Sequence, residues 1–193
     1  MDSSLLPSSL LTDEGSIQLV AHSGLPAESR EPHWYAAYTR ANHEKRVAEQ
    51  LDRRAIGHLL PLYETLHQWK DRRVRVALPL FPGYVFVHTS LHDRLEVLGV
   101  PGVVRLVSFN GRPCPLSEAD MEAVSRCLVH KDRVEPHPFL RVGRRVRVTS
   151  GPLQGLEGIL VRKKSRSRLV ISLHLIMRSV AVDMDALELE PAV

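Results

Sequence analysis

The sequence has few cysteines, few aromatic residues and no long apolar segment. Its two cysteines, Cys114 and Cys127, do not form a CxxC pair, which excludes a disulfide framework and a cysteine-based zinc or redox motif. We therefore expect a reduced, cytoplasmic protein. No apolar run reaches about 18 residues, so no membrane-spanning helix is expected. Aromatic residues make up 5% of the 193 residues, so the places where they cluster are informative.

Motifs for catalysis are also missing. The sequence contains no GxSxG, HExxH, GxxxxGK[ST] or GxGxxG pattern, and these are the spacings that bring together a nucleophile, a metal or a phosphate-binding loop. His88 and His92 are four residues apart, but the first lies in a predicted strand, so the two would not share a helical face. The sequence predicts a protein that is not an enzyme and needs no metal or other cofactor.

The net charge of +4 is unevenly distributed along the chain. Residues 1–31 hold five acidic and one basic residue, seven serines and no aromatic residue, which predicts a disordered acidic tail. Residues 139–193 hold ten basic and five acidic residues. This local surplus permits contact with nucleic acid, although the whole chain carries less positive charge than a nucleic-acid coating protein needs.

Residues 32–130 combine strand and helix patterns, which predicts an α+β sandwich with one sheet covered by helices. The aromatic run Trp34 to Thr39 predicts a strand, and Asn42 is the expected cap of a helix that reaches about Ala55. The continuous apolar run from Tyr84 to Val87 is typical of a central strand. Ser117, with Asp120 three residues later, predicts the start of the last helix of this domain.

A second, smaller domain is expected after a break in the apolar pattern. Residues 131–138 contain Pro136 and Pro138 among charged residues, which predicts a flexible linker. Residues 139–193 contain short, valine-rich segments separated by glycine turns, and this pattern is typical of a small five-stranded β-barrel. The propensities disfavour helix here, so we expect a permanently folded barrel that is free of the first domain.

Two segments resemble the NusG family of transcription elongation factors. Phe81-Pro82-Gly83-Tyr84, preceded by an apolar run and about 45 residues after Trp34-Tyr35, is similar to the NGN domain of that family. The segment from Val142 to Gly158 resembles a KOW motif, which the family carries in an SH3-like barrel after a linker. The acidic tail and the segment before the first motif are closer to the specialised, operon-directed paralogues such as RfaH.

The resemblance implies an apolar seat for RNA polymerase. In this family, the surface around the first motif binds the clamp helices of the β′ subunit, beside the β subunit. The residues expected to form the seat are Trp34, Tyr38, Phe81 and Tyr84. Composition alone leaves the alternative that the aromatic residues belong to the core.

The resemblance also implies a DNA-binding face and a second partner. Basic residues around the first helix would contact the non-template DNA strand, or would form an ordinary solvated helix face: Arg40, His43, Arg46 and Arg94. Apolar residues of the KOW domain would bind the ribosomal protein NusE or Rho: Leu153, Leu156, Leu175 and Ile176. Because neighbouring strand residues point to opposite faces, one of Leu175 and Ile176 should be exposed.

A third basic cluster is predicted at a hairpin tip of the second domain. It would touch nucleic acid or the ribosome, or would simply be a solvated turn: Arg162, Lys163, Lys164, Arg166 and Arg168. The sequence thus predicts a monomeric antitermination factor that suppresses pausing and couples polymerase to a second partner. The alternative is a KOW-type RNA-binding or ribosome-associated protein.

Overall fold

The computed structural model describes residues 30–69, 72–130, 133–140, 143–163, 166–184 and 188–192. Residues 1–29 of the predicted acidic tail lie outside the described residues. The helices are α1 (Glu44–Arg53), α2 (Arg94–Leu98) and α3 (Glu118–Cys127). The strands are β1 (His33–Thr39), β2 (Gly57–Leu59), β3 (Leu62–Gln68), β4 (Arg73–Pro79), β5 (Tyr84–Thr89), β6 (Val103–Leu106), β7 (Ser108–Phe109), β8 (Arg112–Pro113), β9 (Val134–His137), β10 (Arg144–Val148), β11 (Glu157–Lys163), β12 (Arg166–Leu173), β13 (Arg178–Met184) and β14 (Leu189–Pro191).

The first domain is built on a four-stranded antiparallel sheet in the order β2-β5-β1-β6. The middle of β5, from Val85 to Val87, is fully buried, which confirms that the apolar run is a central strand. Side chains alternate between the two faces of β1. Tyr35 and Ala37 pack with α1 and α2 on one face, and Ala36 packs with α3 on the other. The mixed α/β character predicted from the sequence is therefore confirmed.

The two predicted helix starts have different outcomes. The Ser117 hydroxyl accepts a hydrogen bond from the Asp120 backbone N–H at 3.1 Å, so the predicted N-cap of α3 is confirmed. Asn42 does not cap α1. It takes a left-handed φ of 61°, and His43 occupies the N-cap position without a capping side-chain hydrogen bond. Asparagine suits both roles, since its short polar side chain tolerates positive φ as well as capping.

The last third of the chain, from β9 to β14, forms a six-stranded antiparallel sheet in the order β14-β10-β11-β12-β13-β9. Leu169, Ile171 and Leu173 alternate along β12 and are buried against Val180 and Val182 of β13. The prediction of a closed five-stranded barrel does not describe this sheet. It has six strands, and its two edge strands do not pair with each other within the described residues.

The sixth strand corrects the prediction of a linker. Val134–His137 pairs with β13, from Val134 opposite Val182 to His137 opposite Ser179. Pro136 suggested a linker because proline has no backbone N–H to donate to a neighbouring strand. However, β9 is an edge strand, and one of its sides has no neighbouring strand to receive such hydrogen bonds within the described residues. Half of the eight-residue segment expected to be flexible is therefore part of the second sheet.

The second sheet also contacts the first domain. The Arg126 guanidinium of α3 donates to the backbone carbonyls of Pro152 at 3.0 Å and Gln154 at 2.5 Å. Buried residues of α3, among them Cys127, belong to the same apolar cluster as the inner side of the second sheet. Burial raises the pKa of the Cys127 thiol to about 12, which is typical of an unreactive core cysteine. The expectation of a second domain free of the first is not what the structure shows.

None of the helices in the described part of the chain is long and apolar enough to cross a membrane.

Candidate functional site

Two tyrosines form an aromatic pair at one end of the two central strands of the first sheet. Tyr38 of β1 lies directly opposite Tyr84 of β5, and their ring centroids are 5.5 Å apart. Tyr38 is 38% exposed and Tyr84 is half-buried. The Arg105 guanidinium of β6 lies 5.4 Å from the centre of the Tyr38 ring, within the range of a cation–π contact. The pair offers a partner an apolar surface with a positive charge beside it.

A turn at Gly83 holds this pair in place. Gly83 has a φ of +85°, and a Cβ there would lie 3.3 Å from the Tyr38 ring, so glycine suits both the backbone and the space. Its N–H donates to the Glu44 carboxylate at 2.7 Å, and its carbonyl accepts from the Thr39 N–H at 2.8 Å. Glu44 is 5% exposed. The first turn of α1 thus fixes the entry to β5.

The other two residues predicted for the seat lie elsewhere. Phe81 is 1% exposed and packs edge to face on Phe86, with ring centroids 5.3 Å apart, so its placement on the outer surface was wrong. Trp34 is four residues from Tyr38 along β1, which corresponds to about 13 Å, and its ring lies against His88 at 5.0 Å. Phe81 supports the sheet from the core, and Trp34 lies at the far end of the same face.

Three of the four residues predicted for DNA lie together before and within α1. Arg40 and Arg46 are exposed, and His43 is half-buried at the helix start. The Arg40 N–H donates to the Gly102 carbonyl at 2.9 Å, and a Cβ at Gly102 would lie 3.2 Å from His43 Nδ1. The loop before β6 therefore supports this cluster, which presents two exposed cations and an imidazole side by side.

Arg94 does not join this cluster. Its side chain donates to the Leu91 carbonyl at 2.9 Å at the start of α2. Helix α2 lies beside the other end of α1, where the Arg54 guanidinium donates to the carbonyls of Glu96 and Gly99. Helix α2 thus lies near the C-terminal end of α1, whereas Arg40 and His43 lie at its N-terminal end. The prediction that Arg94 shares a face with Arg40 and His43 is therefore wrong.

Known proteins with similar sequences support one family. The chain is 27% identical over 181 residues to the transcription termination/antitermination protein NusG of Escherichia coli K12, a match that covers 86% of this chain and 99% of that protein. The NusG of Thermus thermophilus is 27% identical over 173 residues, covering 79% and 94%. A family model described as transcription termination factor nusG matches residues 32–125. These comparisons show a chain that is similar to the NusG family, by the family model over residues 32–125 and by the relatives over most of its length.

A solved structure shows the same fold as this chain. The structure described as "Domain interaction in Thermotoga maritima NusG" is 22% identical, with a TM-score of 0.54, and the match covers 86% of this chain and 99% of that one. The likeness therefore extends beyond the residues that the family model matches.

The apolar residues predicted to bind a second partner are mostly buried. Leu153, Leu156 and Ile176 are 3%, 8% and 5% exposed, and Leu175 is half-buried. The Arg126 hydrogen bonds reach the carbonyls on both sides of Leu153. The expectation of an exposed apolar surface at Leu153, Leu156 and Ile176 is therefore wrong for this arrangement of the domains.

The argument from strand alternation failed at Leu175 and Ile176 because the strand ends earlier. Strand β12 stops at Leu173, and His174–Ile176 forms a single 3₁₀ turn. Met177 follows with a left-handed φ of 51° and is 50% exposed. The sequence reasoning missed Met177, whose side chain is the more exposed apolar group at this corner.

Arg168, one of the residues predicted for the basic hairpin tip, is buried. Arg168 is 6% exposed and donates to the carboxylates of Glu135, at 2.5 Å, and Asp183, at 2.6 Å. The hydrogen bond to Glu135 and then the one to Asp183 raise the pKa of Arg168 against the opposing effect of burial. Arg168 is thus a structural ion-pair residue of the second sheet. Lys164 and the side chains of Arg162, Lys163 and Arg166 lie outside the described residues.

Proposed function

We propose that this chain is a non-enzymatic transcription elongation and antitermination factor that binds RNA polymerase at the β′ clamp helices, beside the β subunit. The observation that carries the proposal is the partly exposed Tyr38–Tyr84 pair, which the Gly83 turn and Glu44 hold at one end of the two central strands of the first sheet. Buried aromatic anchors surrounded by polar groups are typical of the centre of a protein interface. Arg105 supplies a polar group beside this anchor.

The proposed mechanism is a shift of population. A factor that binds the closed, active state of polymerase more tightly than the paused state makes the paused state less populated, and no covalent step is needed. The rigid seat supports this mechanism. Because Glu44 and Thr39 already fix the Gly83 turn, little conformational freedom has to be lost when the partner binds.

The second sheet is proposed to act as a KOW-type domain that recruits NusE or Rho. In the present arrangement it offers Leu175 and Met177 at one corner, whereas Leu153 is covered beside Arg126. A partner that uses Leu153 therefore requires separation of the second sheet from α3. Binding at the Tyr38–Tyr84 pair has no such requirement, since Tyr38 is already exposed.

Binding to core RNA polymerase and transcription through a pause site test the proposal together. We expect the full chain to copurify with core polymerase and to shorten the pause. The rival function, an RNA-binding or ribosome-associated KOW protein, predicts binding to ribosomes or RNA that weakens steeply as salt rises. An apolar grip on polymerase persists at higher salt. Absence of polymerase binding, together with salt-sensitive ribosome binding, would favour the rival.

The cluster of Arg40, His43 and Arg46 is proposed to contact the non-template DNA strand. Replacing both Arg40 and His43 with alanine is expected to leave polymerase affinity nearly unchanged, because both residues lie outside the tyrosine pair. The same change should reduce the response at particular pause sites several-fold, since base contacts specify sequence. Pause lifetimes on templates with different non-template sequences provide the measurement. An unaltered sequence dependence in the double variant would identify the cluster as a solvated helix face.

A further inference from the structure

The hairpin of β3 and β4 extends away from the sheet of the first domain. Its register runs over seven pairs, from Leu62 opposite Pro79 to Gln68 opposite Arg73, which corresponds to about 20 Å. Within the described residues it forms a two-stranded sheet that pairs with no third strand. Tyr63, at its base, packs against the core of the first domain. The base is therefore anchored, and the far end is presented to solvent.

An exposed indole lies at the far end of this hairpin. The backbone N–H of Trp69 donates to the Arg72 carbonyl at 2.9 Å, and Trp69 is 58% exposed. Trp69 continues the alternation of Tyr63, Thr65 and His67 along one face of β3. A large, exposed aromatic ring is a surface for stacking.

Arginines lie near the far end of the hairpin, within β4 and just before it. Arg73 and Arg75 are opposite Gln68 and Leu66, so they project from the face opposite Trp69. Arg72, Arg73 and Arg75 are exposed. The Arg73 guanidinium is 3.4 Å from the Gln68 amide oxygen, and Arg75 lies 3.7 Å from the Glu64 carboxylate with its side chain 80% exposed. Such exposed contacts leave the guanidinium groups available to phosphates. The far end of the hairpin thus combines an aromatic platform with several positive charges.

We propose that the far end of the β3–β4 hairpin binds single-stranded nucleic acid, with a base stacked on Trp69 and a neighbouring phosphate held by Arg72, while Arg73 on the other face adds to the local positive charge. The positive charge favours a polyanion over an apolar protein segment. The exposed ring favours a single strand over a duplex, because the faces of paired bases are already covered by their neighbours. This site lies outside the tyrosine pair and α1, and its occupation does not depend on polymerase binding.

Fluorescence anisotropy of labelled oligonucleotides tests this proposal on the full chain. The probes are oligothymidylate and oligouridylate of about 12 nucleotides, with a duplex of equal length, in about 50 mM salt. We expect both single strands to bind more tightly than the duplex. Trp69→Ala should weaken binding about tenfold, the loss of one stacked base. Arg72→Gln with Arg73→Gln should weaken binding and lower the salt dependence.

Two controls separate this site from other surfaces. Leu66→Ala removes an equally exposed side chain, 61% exposed, from the opposite face of the same hairpin and should leave affinity unchanged. Arg40→Gln with Arg46→Gln removes charge from the α1 cluster and should have a smaller effect than Trp69→Ala. The proposal is overturned if Trp69→Ala binds like the parent, if the duplex binds best, or if neither single strand binds.

Discussion

Replacing Tyr84 with alanine is expected to weaken binding to core RNA polymerase about thirtyfold, because an aromatic anchor at the centre of an interface commonly contributes about 2 kcal/mol. Tyr84 packs on Tyr38 at 5.5 Å, so its loss also leaves the more exposed ring without support. Titration of labelled polymerase with the full-length variant gives the affinity. The folded state of the variant can be verified by its thermal unfolding.

The matched control for this experiment is Phe109→Ala. Phe109 is 70% exposed on the short β7–β8 hairpin, outside the tyrosine pair, so its removal should leave polymerase affinity unchanged. Phe81→Ala is unsuitable as a binding variant. Because Phe81 is buried, its truncation is expected to cost about 3–5 kcal/mol of stability instead. Equal losses of affinity for Tyr84→Ala and Phe109→Ala would contradict the proposed seat.

Arg168→Met is expected to destabilise the second sheet strongly. The guanidinium joins Glu135 of β9 to Asp183 of β13, and its side chain is 8% exposed. Its removal deletes two charge-assisted hydrogen bonds that join β12 to β9 and β13, at a cost of about 3 kcal/mol. Chemical denaturation of the full chain measures the loss. Increased hydrogen exchange in β9 should accompany it, because Arg168 ties that strand to its neighbours.

Arg147→Met provides the comparison for Arg168→Met. Arg147 pairs with Glu157 on the same sheet, but the two side chains are 52% and 47% exposed. Solvent already screens this pair, so the variant should unfold close to the parent. If both variants lost the same stability, burial of the Arg168 pairs would not be the source of the effect. Neutralising all three members of the Arg168 group should recover part of the lost stability.

Local signals explain which parts of the fold could be predicted. The apolar run of β5 and the serine cap of α3 depend on neighbouring residues, and both predictions were confirmed. Positions that depend on distant residues could not be predicted in the same way. Phe81 is buried by packing against Phe86, and Arg168 is buried because Glu135, 33 residues earlier, reaches it.

In the candidate site, too, features set by neighbouring residues could be predicted and those set by distant residues could not. The aromatic motif indicated Tyr84 and Tyr38, because these residues lie in adjacent strands that both had strand patterns. Glu44 carries no sequence signal for its hydrogen bond to Gly83, since an acidic residue in a first helical turn is common for reasons of the helix dipole. Arg105 was likewise missed, because only the pairing of β1 with β6 brings it over the Tyr38 ring.

The pairing of β9 with β13 sets how far the second sheet can travel from α3. With β9 in place, three residues separate His130 from Val134, which allows a reach of about 10 Å. If β9 detached, thirteen residues would separate His130 from Arg144, and the reach would rise to about 45 Å. One edge strand, held by Arg168, therefore determines whether the second sheet is on a short tether or a long one. The volume that the second sheet can search for a partner changes accordingly.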